Sequence, residues 1–334
     1  MNNKSKTITF FSSNSFEVPF LQKTFEPSLF DCRYLETNLN HQTAELVRDS
    51  EIVSLFVEDK ADKYVLDIFK ERGVRHIALR SAGFNNIDLE YAKKIGISVA
   101  RVPAYSPHAI AEHTFALILS LNRKIHKSYH RVRDFNFSLN GLTGFDLYKK
   151  TIGIIGTGKI GMEVVKIARG FGMKVLAYDK FPNEEVANLT NVQYCDLEEL
   201  YQNSDIISLH APLTEETHHL LGEDSFKLMK DGLMLINTSR GGLIDTNSMV
   251  QNIKNKKIGS LGLDVYEEEE GVFFKDLSSG ILYDDRLARL TTFPNVLITS
   301  HQAFLTQEAL SEISQTTLKN IESFVNNETN ENLL

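Results

Sequence analysis

A glycine-rich turn between a predicted strand and a predicted helix constrains the fold of this chain more than any other stretch. The run Thr151–Ile155 consists of β-branched residues interrupted by one glycine, and the pattern Gly156-x-Gly158-x-x-Gly161 follows it directly. Apolar residues then recur at helical spacing, at Ile160, Val164, Ile167, Ala168 and Phe171. A strand, a GxGxxG turn and a helix in this order are typical of a dinucleotide-binding domain, in which backbone N–H groups at the helix start face a pyrophosphate.

An acidic residue at the next strand end indicates which dinucleotide the turn accepts. Lys174–Tyr178 is the next predicted strand, and Asp179 follows it. A carboxylate there accepts hydrogen bonds from the adenosine ribose hydroxyls and repels a 2′-phosphate. The pattern therefore predicts NAD as the cofactor, while Lys180, beside Asp179, leaves the strictness of NAD over NADP open.

The length and composition are those of a globular protein with two domains. The chain of 334 residues is long for one core, and its 42% hydrophobic and 24% charged residues are ordinary for a soluble protein. A net charge of −8 without a basic block argues against nucleic-acid binding. Cys32 and Cys195 are the only cysteines, and the sequence contains neither a signal peptide nor a membrane-spanning run. We therefore expect a cytoplasmic protein that binds neither nucleic acid nor membrane.

The chain before the glycine turn predicts a second α/β domain. Short apolar runs alternate there with helical patterns, the runs at residues 7–11, 52–56, 76–80 and 98–100 and the helices at 61–72 and 88–95. This alternation is typical of βαβ units with a parallel sheet. After Asp179 the alternation resumes, with an irregular insert expected at residues 273–290 and a frayed polar tail at 326–332.

Three charged or titratable side chains follow predicted strands of the dinucleotide-binding domain. Arg240, Glu269 and His301 each come shortly after such a strand. Hydride transfer to a 2-oxo acid needs a cation for the carboxylate, a group that exchanges a proton and a partner that orients this group. Each residue also has another interpretation: a surface arginine, one of four glutamates in a solvated loop, or a structural histidine. His218 and His219 have no companion ligands in the sequence, so we predict no metal site.

Seven motifs spread over the chain resemble those of the D-isomer-specific 2-hydroxyacid dehydrogenase family. They are RSAGFNN (80–86), VPAYSP (102–107), AEH (111–113), GTGKIG (156–161), NTSRG (237–241), GLDVYE (262–267) and HQAFLT (301–306). Within the family the chain is most similar to the NAD-dependent fermentative D-lactate dehydrogenases. Many family members have a proline after the catalytic glutamate, whereas Glu270 and Gly271 follow Glu269 here. This departure argues against the phosphoglycerate and glyoxylate branches.

The resemblance implies a mechanism and a set of site residues. Arg240 would hold the substrate carboxylate, His301 would exchange a proton with the keto oxygen, and Glu269 would hold the imidazolium. NAD would contact Gly156, Gly158, Lys159, Ile160, Gly161, Asp179, Ala211, Pro212, Thr217, Thr238, Ser239 and Asp264. Pyruvate or D-lactate would contact Ala82, Gly83, Tyr105, Arg240 and Phe304.

The resemblance also implies two Rossmann-like or flavodoxin-like parallel-sheet domains with the active site in the cleft between them. Residues 1–102 with 303–334 would form the substrate domain, and residues 103–302 the NAD-binding domain. The helix after Pro107 and residues 131–148 would mediate a homodimer or homotetramer. Two other functions stay open: a dehydrogenase for a larger 2-oxo acid, and a non-catalytic, NAD-sensing scaffold similar to a corepressor.

Overall fold

The structure is a computed structural model that describes residues 6–183 and 192–334. The chain divides into two units. Unit 1 comprises the chain up to Ser106 together with Leu305–Leu334, and unit 2 comprises Pro107–Phe304. Among the helices of the described residues, none is long and apolar enough to cross a membrane.

Each unit contains one parallel β-sheet. The strands are β1 (Thr7–Phe10), β2 (Asp31–Tyr34), β3 (Ile52–Leu55), β4 (His76–Leu79), β5 (Ser98–Ala100), β6 (Thr151–Ile155), β7 (Lys174–Tyr178), β8 (Gln193–Tyr194), β9 (Ile206–Leu209), β10 (Leu233–Asn237), β11 (Ile258–Leu263) and β12 (Val296–Ile298). The sheet of unit 1 has the order β2-β1-β3-β4-β5, and that of unit 2 has β12-β11-β10-β9-β6-β7-β8. The first order is flavodoxin-like, and the second, read from β8, is the Rossmann order with one further strand. The predicted fold class, two parallel-sheet α/β domains, is confirmed.

Helices cover both faces of each sheet. They are α1 (Val18–Phe25), α2 (Lys63–Glu71), α3 (Leu89–Ile95), α4 (Pro107–Arg123), α5 (Ile125–Arg133), α6 (Lys159–Gly170), α7 (Leu197–Asn203), α8 (Glu223–Leu228), α9 (Thr246–Lys254), α10 (Asp285–Thr292) and α11 (Gln307–Asn326), with 3-10 turns at Ala44–Val47 and Gly241–Leu243. Each sheet thereby separates two apolar clusters, so its central strands are apolar on both sides. In unit 1 the cluster under α1 and α11 contains Ile8, Phe10 and Ile321, all fully buried.

Two local predictions are wrong. The insert at residues 273–290 is not irregular throughout, because α10 begins within it, and the Asp284 carboxylate caps this helix by accepting from backbone N–H groups. The polar tail is not frayed. Asn332 accepts a backbone hydrogen bond from Arg101 (3.0 Å), and its side chain donates to the Asn320 side chain (2.9 Å).

Candidate functional site

The glycine turn has the shape that a bound phosphate requires. Gly156 has a φ of +95°, and a Cβ there would lie 2.6 Å from the backbone nitrogen of Ala211. A Cβ on Gly161 would lie 2.0 Å from the carbonyl oxygen of Gly156, so only glycine allows the helix to begin this close to the strand. A Cβ on Gly158 would meet nothing within 4 Å. Packing therefore requires glycine at positions 156 and 161, whereas the space beside Gly158 is open.

The start of α6 supplies the hydrogen-bond donors. Gly158 is the N-cap and carries no side chain that could accept from the first turn. The first helical hydrogen bond runs from the N–H of Met162 to the carbonyl of Gly158. The N–H groups of Lys159 and Ile160 therefore have no acceptor within the helix, and together with the helix dipole they could hold an anion.

Asp179 closes the turn from the neighbouring strand. Its Oδ2 accepts from the backbone N–H and the hydroxyl of Thr157, at 2.6 and 2.9 Å. Burial acts to raise the pKa of Asp179, but the hydrogen bonds from Thr157 and Phe181 outweigh it and hold the pKa below its usual value. The carboxylate is therefore ionised at neutral pH, as an acceptor for ribose hydroxyls must be.

The loop after β9 contacts the turn on its other side. The carbonyl of Ala211 accepts from the hydroxyl of Ser239 (2.7 Å), which joins this loop to the one after β10. Thr217 donates to the carbonyl of Pro212 (2.6 Å) and so holds the loop in a tight bend. His210 was not singled out from the sequence. Its Nε2 contacts the hydroxyl of Ser208 (2.8 Å), and desolvation lowers its pKa to about 3, so the ring is neutral.

Arg240 leaves β10 in a loop that is held by backbone contacts. The side chain of Asn237 donates to the carbonyl of Arg240 (2.8 Å), and the hydroxyl of Thr238 turns inward to the hydroxyl of Thr114 (2.9 Å). A Cβ on Gly241 would lie 2.1 Å from the carbonyl carbon of Tyr266, so the loop packs directly on the segment after β11. The guanidinium donates to the carbonyl of Ser239 and forms no ion pair with any described carboxylate. It is therefore free to bind an anion.

Glu269 and His301 form a hydrogen-bonded pair. His301 Nδ1 lies 2.8 Å from Glu269 Oε1, and the other carboxylate oxygen accepts from the backbone N–H of Tyr266 (3.0 Å). The His301 side chain is 19% exposed and the Glu269 side chain is 29% exposed, so the pair can be reached from solvent. His301 Nε2 has no hydrogen-bond partner among the described residues. One ring nitrogen is thus oriented by a carboxylate, and the other is free to exchange a proton.

Asp264 fixes the backbone around His301. Its carboxylate is fully buried and accepts from the N–H groups of Gln302 and Ala303, at 2.8 and 2.9 Å, and from the hydroxyl of Thr299 (2.6 Å). Its carbonyl accepts from the N–H of His301 (2.7 Å). Because all of these groups turn inward, the structure gives Asp264 a positioning role, and its direct contact with a cofactor stays a prediction.

The side chains follow one another along one edge of the unit 2 sheet. The carboxyl ends of β7, β6, β9, β10, β11 and β12 lie side by side in this order. Asp179 follows β7, the glycine turn follows β6, and Arg240, Glu269 and His301 follow the last three strands. Neighbouring strands are about 4.8 Å apart, so β6 and β12 are separated by about 19 Å. An extended ligand along this edge would meet the ribose acceptor, the anion site and the acid–base pair in turn.

Of the other four predicted substrate residues, three lie in unit 1 and one lies in unit 2. Ala82 and Gly83 follow β4 of unit 1, where the hydroxyl of Ser81 donates to the carbonyl of Gly83 (2.7 Å). Their N–H groups donate to no acceptor in the described part of the chain. Tyr105 is half-buried in unit 1, and Phe304, in unit 2, is 7% exposed.

One interpretation of the sequence is wrong at the histidine pair. A carboxylate does accompany the two histidines, because His219 Nε2 lies 2.5 Å from Glu267 Oε1. The three side chains come together from two loops of unit 2. His219 and Glu267 are 48 residues apart in the sequence, so no local sequence pattern indicated this contact.

The chain is similar to known proteins in both sequence and fold. The model of the NAD binding domain of the D-isomer specific 2-hydroxyacid dehydrogenases matches residues 115–303. The D-lactate dehydrogenase of Escherichia coli (strain K12) is 49% identical over 319 residues, which cover 96% of this chain and 97% of that protein. The structure of the pyruvate reductase of Chlamydomonas reinhardtii has a TM-score of 0.93 at 40% identity and covers 98% of both chains. The structure of the D-lactate dehydrogenase of Aquifex aeolicus, complexed with NAD and lactic acid, has a TM-score of 0.85 at 38% identity and covers 96% of both chains.

Proposed function

Because the chain belongs to the D-isomer specific 2-hydroxyacid dehydrogenase family, we propose that it is an NAD-dependent D-lactate dehydrogenase that reduces pyruvate reversibly. The observation that carries the proposal is the pair of Glu269 and His301, with one imidazole nitrogen held at 2.8 Å and the other free. The intact pair, together with relatives named as D-lactate dehydrogenases, does not favour a non-catalytic scaffold.

The residues of unit 2 would share the reaction as follows. The glycine turn, the start of α6 and Asp179 fit a dinucleotide, and bound NADH supplies the hydride. Arg240 would hold the pyruvate carboxylate and polarise the keto group. His301 would donate its proton to the keto oxygen, while Glu269 keeps the ring oriented and stabilises its charged form.

The proposal extends to the setting of the enzyme. The free thiols of Cys32 and Cys195 support a cytoplasmic location, where pyruvate reduction would serve fermentation. A homodimer or homotetramer is supported by large apolar side chains that are exposed in the segment 129–148. Their exposed fractions are 57% for Tyr129, 48% for Val132, 85% for Phe135, 70% for Phe137, 80% for Leu139 and 63% for Tyr148. The segment is anchored, since Arg131 donates to the carbonyl of Asn140 (2.7 Å). An ordered apolar surface of this kind is typical of an interface between copies.

The test is the loss of NADH absorbance over a graded series of 2-oxo acids, with chiral analysis of the product. We expect the highest kcat/KM with pyruvate, and D-lactate as the product. His301→Ala should lower kcat at least ~100-fold, because general acid catalysis contributes that much. His41→Ala is the matched control, since His41 also contacts a carboxylate, Asp62, at 2.6 Å but lies in unit 1. An unaffected rate in His301→Ala would refute the role of His301, and turnover of larger 2-oxo acids alone would refute the substrate.

A further inference from the structure

A second group of titratable side chains lies in unit 2 apart from the acid–base pair. It consists of His218 and His219, in the loop before α8, and Glu267, after β11; we refer to it as the histidine–glutamate cluster. One ligand atom from each side chain lies within 4.8 Å of the other two. The two imidazole rings stack at 3.8 Å between centroids.

Neighbouring side chains orient these ligands. Glu267 Oε2 accepts from the backbone N–H (3.2 Å) and the hydroxyl (2.6 Å) of Thr246, which leaves Oε1 facing His219. His219 Nδ1 lies 3.7 Å from Asp245 Oδ2, which is beyond hydrogen-bond distance but within reach of electrostatic attraction. A ligating carboxylate whose second oxygen is held by hydrogen bonds, as in Glu267, is a common feature of protein metal sites.

The charge of the cluster suits a cation. Glu267 contributes a carboxylate, a group that is ordinarily ionised at neutral pH. His219 and Glu267 are 34% and 20% exposed and His218 more so, which leaves one side open to water.

We propose that the histidine–glutamate cluster binds one divalent transition-metal ion of the zinc class, with His218, His219 and Glu267 as ligands and water in the fourth position. Two imidazoles and one carboxylate form a ligand set that zinc favours, whereas calcium and magnesium favour oxygen ligands only. Binding breaks the hydrogen bond between His219 Nε2 and Glu267 Oε1, transfers the Nε2 proton through solvent to Nδ1 of the same ring, and places the ion between Nε2 and Oε1.

The bound ion would connect the segments that carry Arg240 and Glu269. The N–H of His219 donates to the carbonyl of Gly242 (2.8 Å), two residues after Arg240. Glu267 lies beside Tyr266, whose N–H donates to Glu269. The ion would therefore stabilise unit 2 increasingly as its concentration rises above Kd, and it would act as a structural ion next to the active-site loops.

The test uses the full chain, freed of metal with a chelator and titrated with zinc chloride by calorimetry near neutral pH. We expect one ion per chain and a higher unfolding temperature with zinc. His218→Gln and Glu267→Gln should each weaken zinc binding at least tenfold. His218 is exposed, so His218→Gln decides the result even if Glu267→Gln folds poorly. His41→Gln, which removes the comparable His41–Asp62 pair, should bind zinc as the unchanged chain does.

Two results would overturn the proposal. One is a wild-type chain that binds zinc no more tightly than His218→Gln. The other is zinc binding that survives in His218→Gln and Glu267→Gln but is lost in His301→Ala, which would assign the ion to the acid–base pair.

Discussion

Mild acid should destabilise unit 1 through His76, a histidine of β4 that is fully buried. Its ring stacks on Phe324 at 4.6 Å, its Nδ1 contacts the Ser98 hydroxyl (2.8 Å), and its Nε2 has no hydrogen-bond partner among the described residues. Desolvation lowers the pKa of His76 from 6.5 to about 4. The folded chain therefore keeps the ring neutral at pH values where the unfolded chain protonates it.

The sign and size of the effect follow from these two pKa values. Stability that is present above pH 6.5 is lost as the pH falls towards 4, and at about pH 5 the loss from His76 alone is about 2 kcal/mol. For a unit of this size the unfolding temperature falls by roughly 8 °C. His76→Phe keeps the stack on Phe324, removes the unpaired Nε2 and cannot titrate.

Scanning calorimetry at neutral pH and at about pH 5 measures the effect as the difference between variant and wild type. We expect His76→Phe to gain about 2 kcal/mol relative to wild type on acidification. Ser98→Ala removes a contact of the same ring but leaves the titration, so it should keep the wild-type pH dependence. If His76→Phe and wild type lose stability in parallel, the reasoning is refuted.

Two further predictions concern the cofactor and the assembly. Asp179→Ser removes the ribose acceptor and the charge that repels a 2′-phosphate, so the ratio of kcat/KM with NADH to kcat/KM with NADPH should fall about 100-fold, because two charge-assisted hydrogen bonds are lost. The control is Asp224→Ser, which alters a 97% exposed carboxylate and should leave the ratio unchanged. An unchanged ratio in Asp179→Ser would show that the assignment of Asp179 is wrong. If the proposed oligomer forms through this surface, Phe135→Asp combined with Leu139→Asp should give monomers, because both side chains are at least 80% exposed. Sedimentation of the double variant at the mass of a wild-type oligomer would exclude this interface.

The buried strands could be predicted from the sequence because burial on both faces leaves a continuous apolar run. The predicted bounds of β6 and β7 agree with the structure, and four of the five residues of β6 are buried. The edge strand β2 was not predicted, since its residues Asp31–Tyr34 are only partly buried and mostly polar. Helix α10 was missed for a related reason, because it buries only Leu287 and Leu290.

The candidate site likewise contains residues that could be identified from the sequence and contacts that could not. Residues fixed by backbone geometry, such as Gly156 and Gly161, were identified from their spacing, because the turn itself demands glycine. Contacts between loops that are far apart in the sequence could not be predicted from spacing. The hydrogen bonds from His219 to Glu267 and from Gln302 to Asp264 depend on which strand ends lie side by side in the folded sheet. The tail was judged frayed from its polar composition, although Asn320 pairs with it.

The discontinuity of unit 1 has a consequence for synthesis on the ribosome. Ile321 of α11 completes the cluster that covers Ile8 and Phe10, yet Pro107–Phe304 must be translated before α11 emerges. At about 5–20 residues per second, those roughly 200 residues take about 10–40 s. Unit 2 is continuous and can finish folding in this interval. The nascent first sheet meanwhile keeps an apolar face open, where a chaperone can bind until the end of the chain arrives.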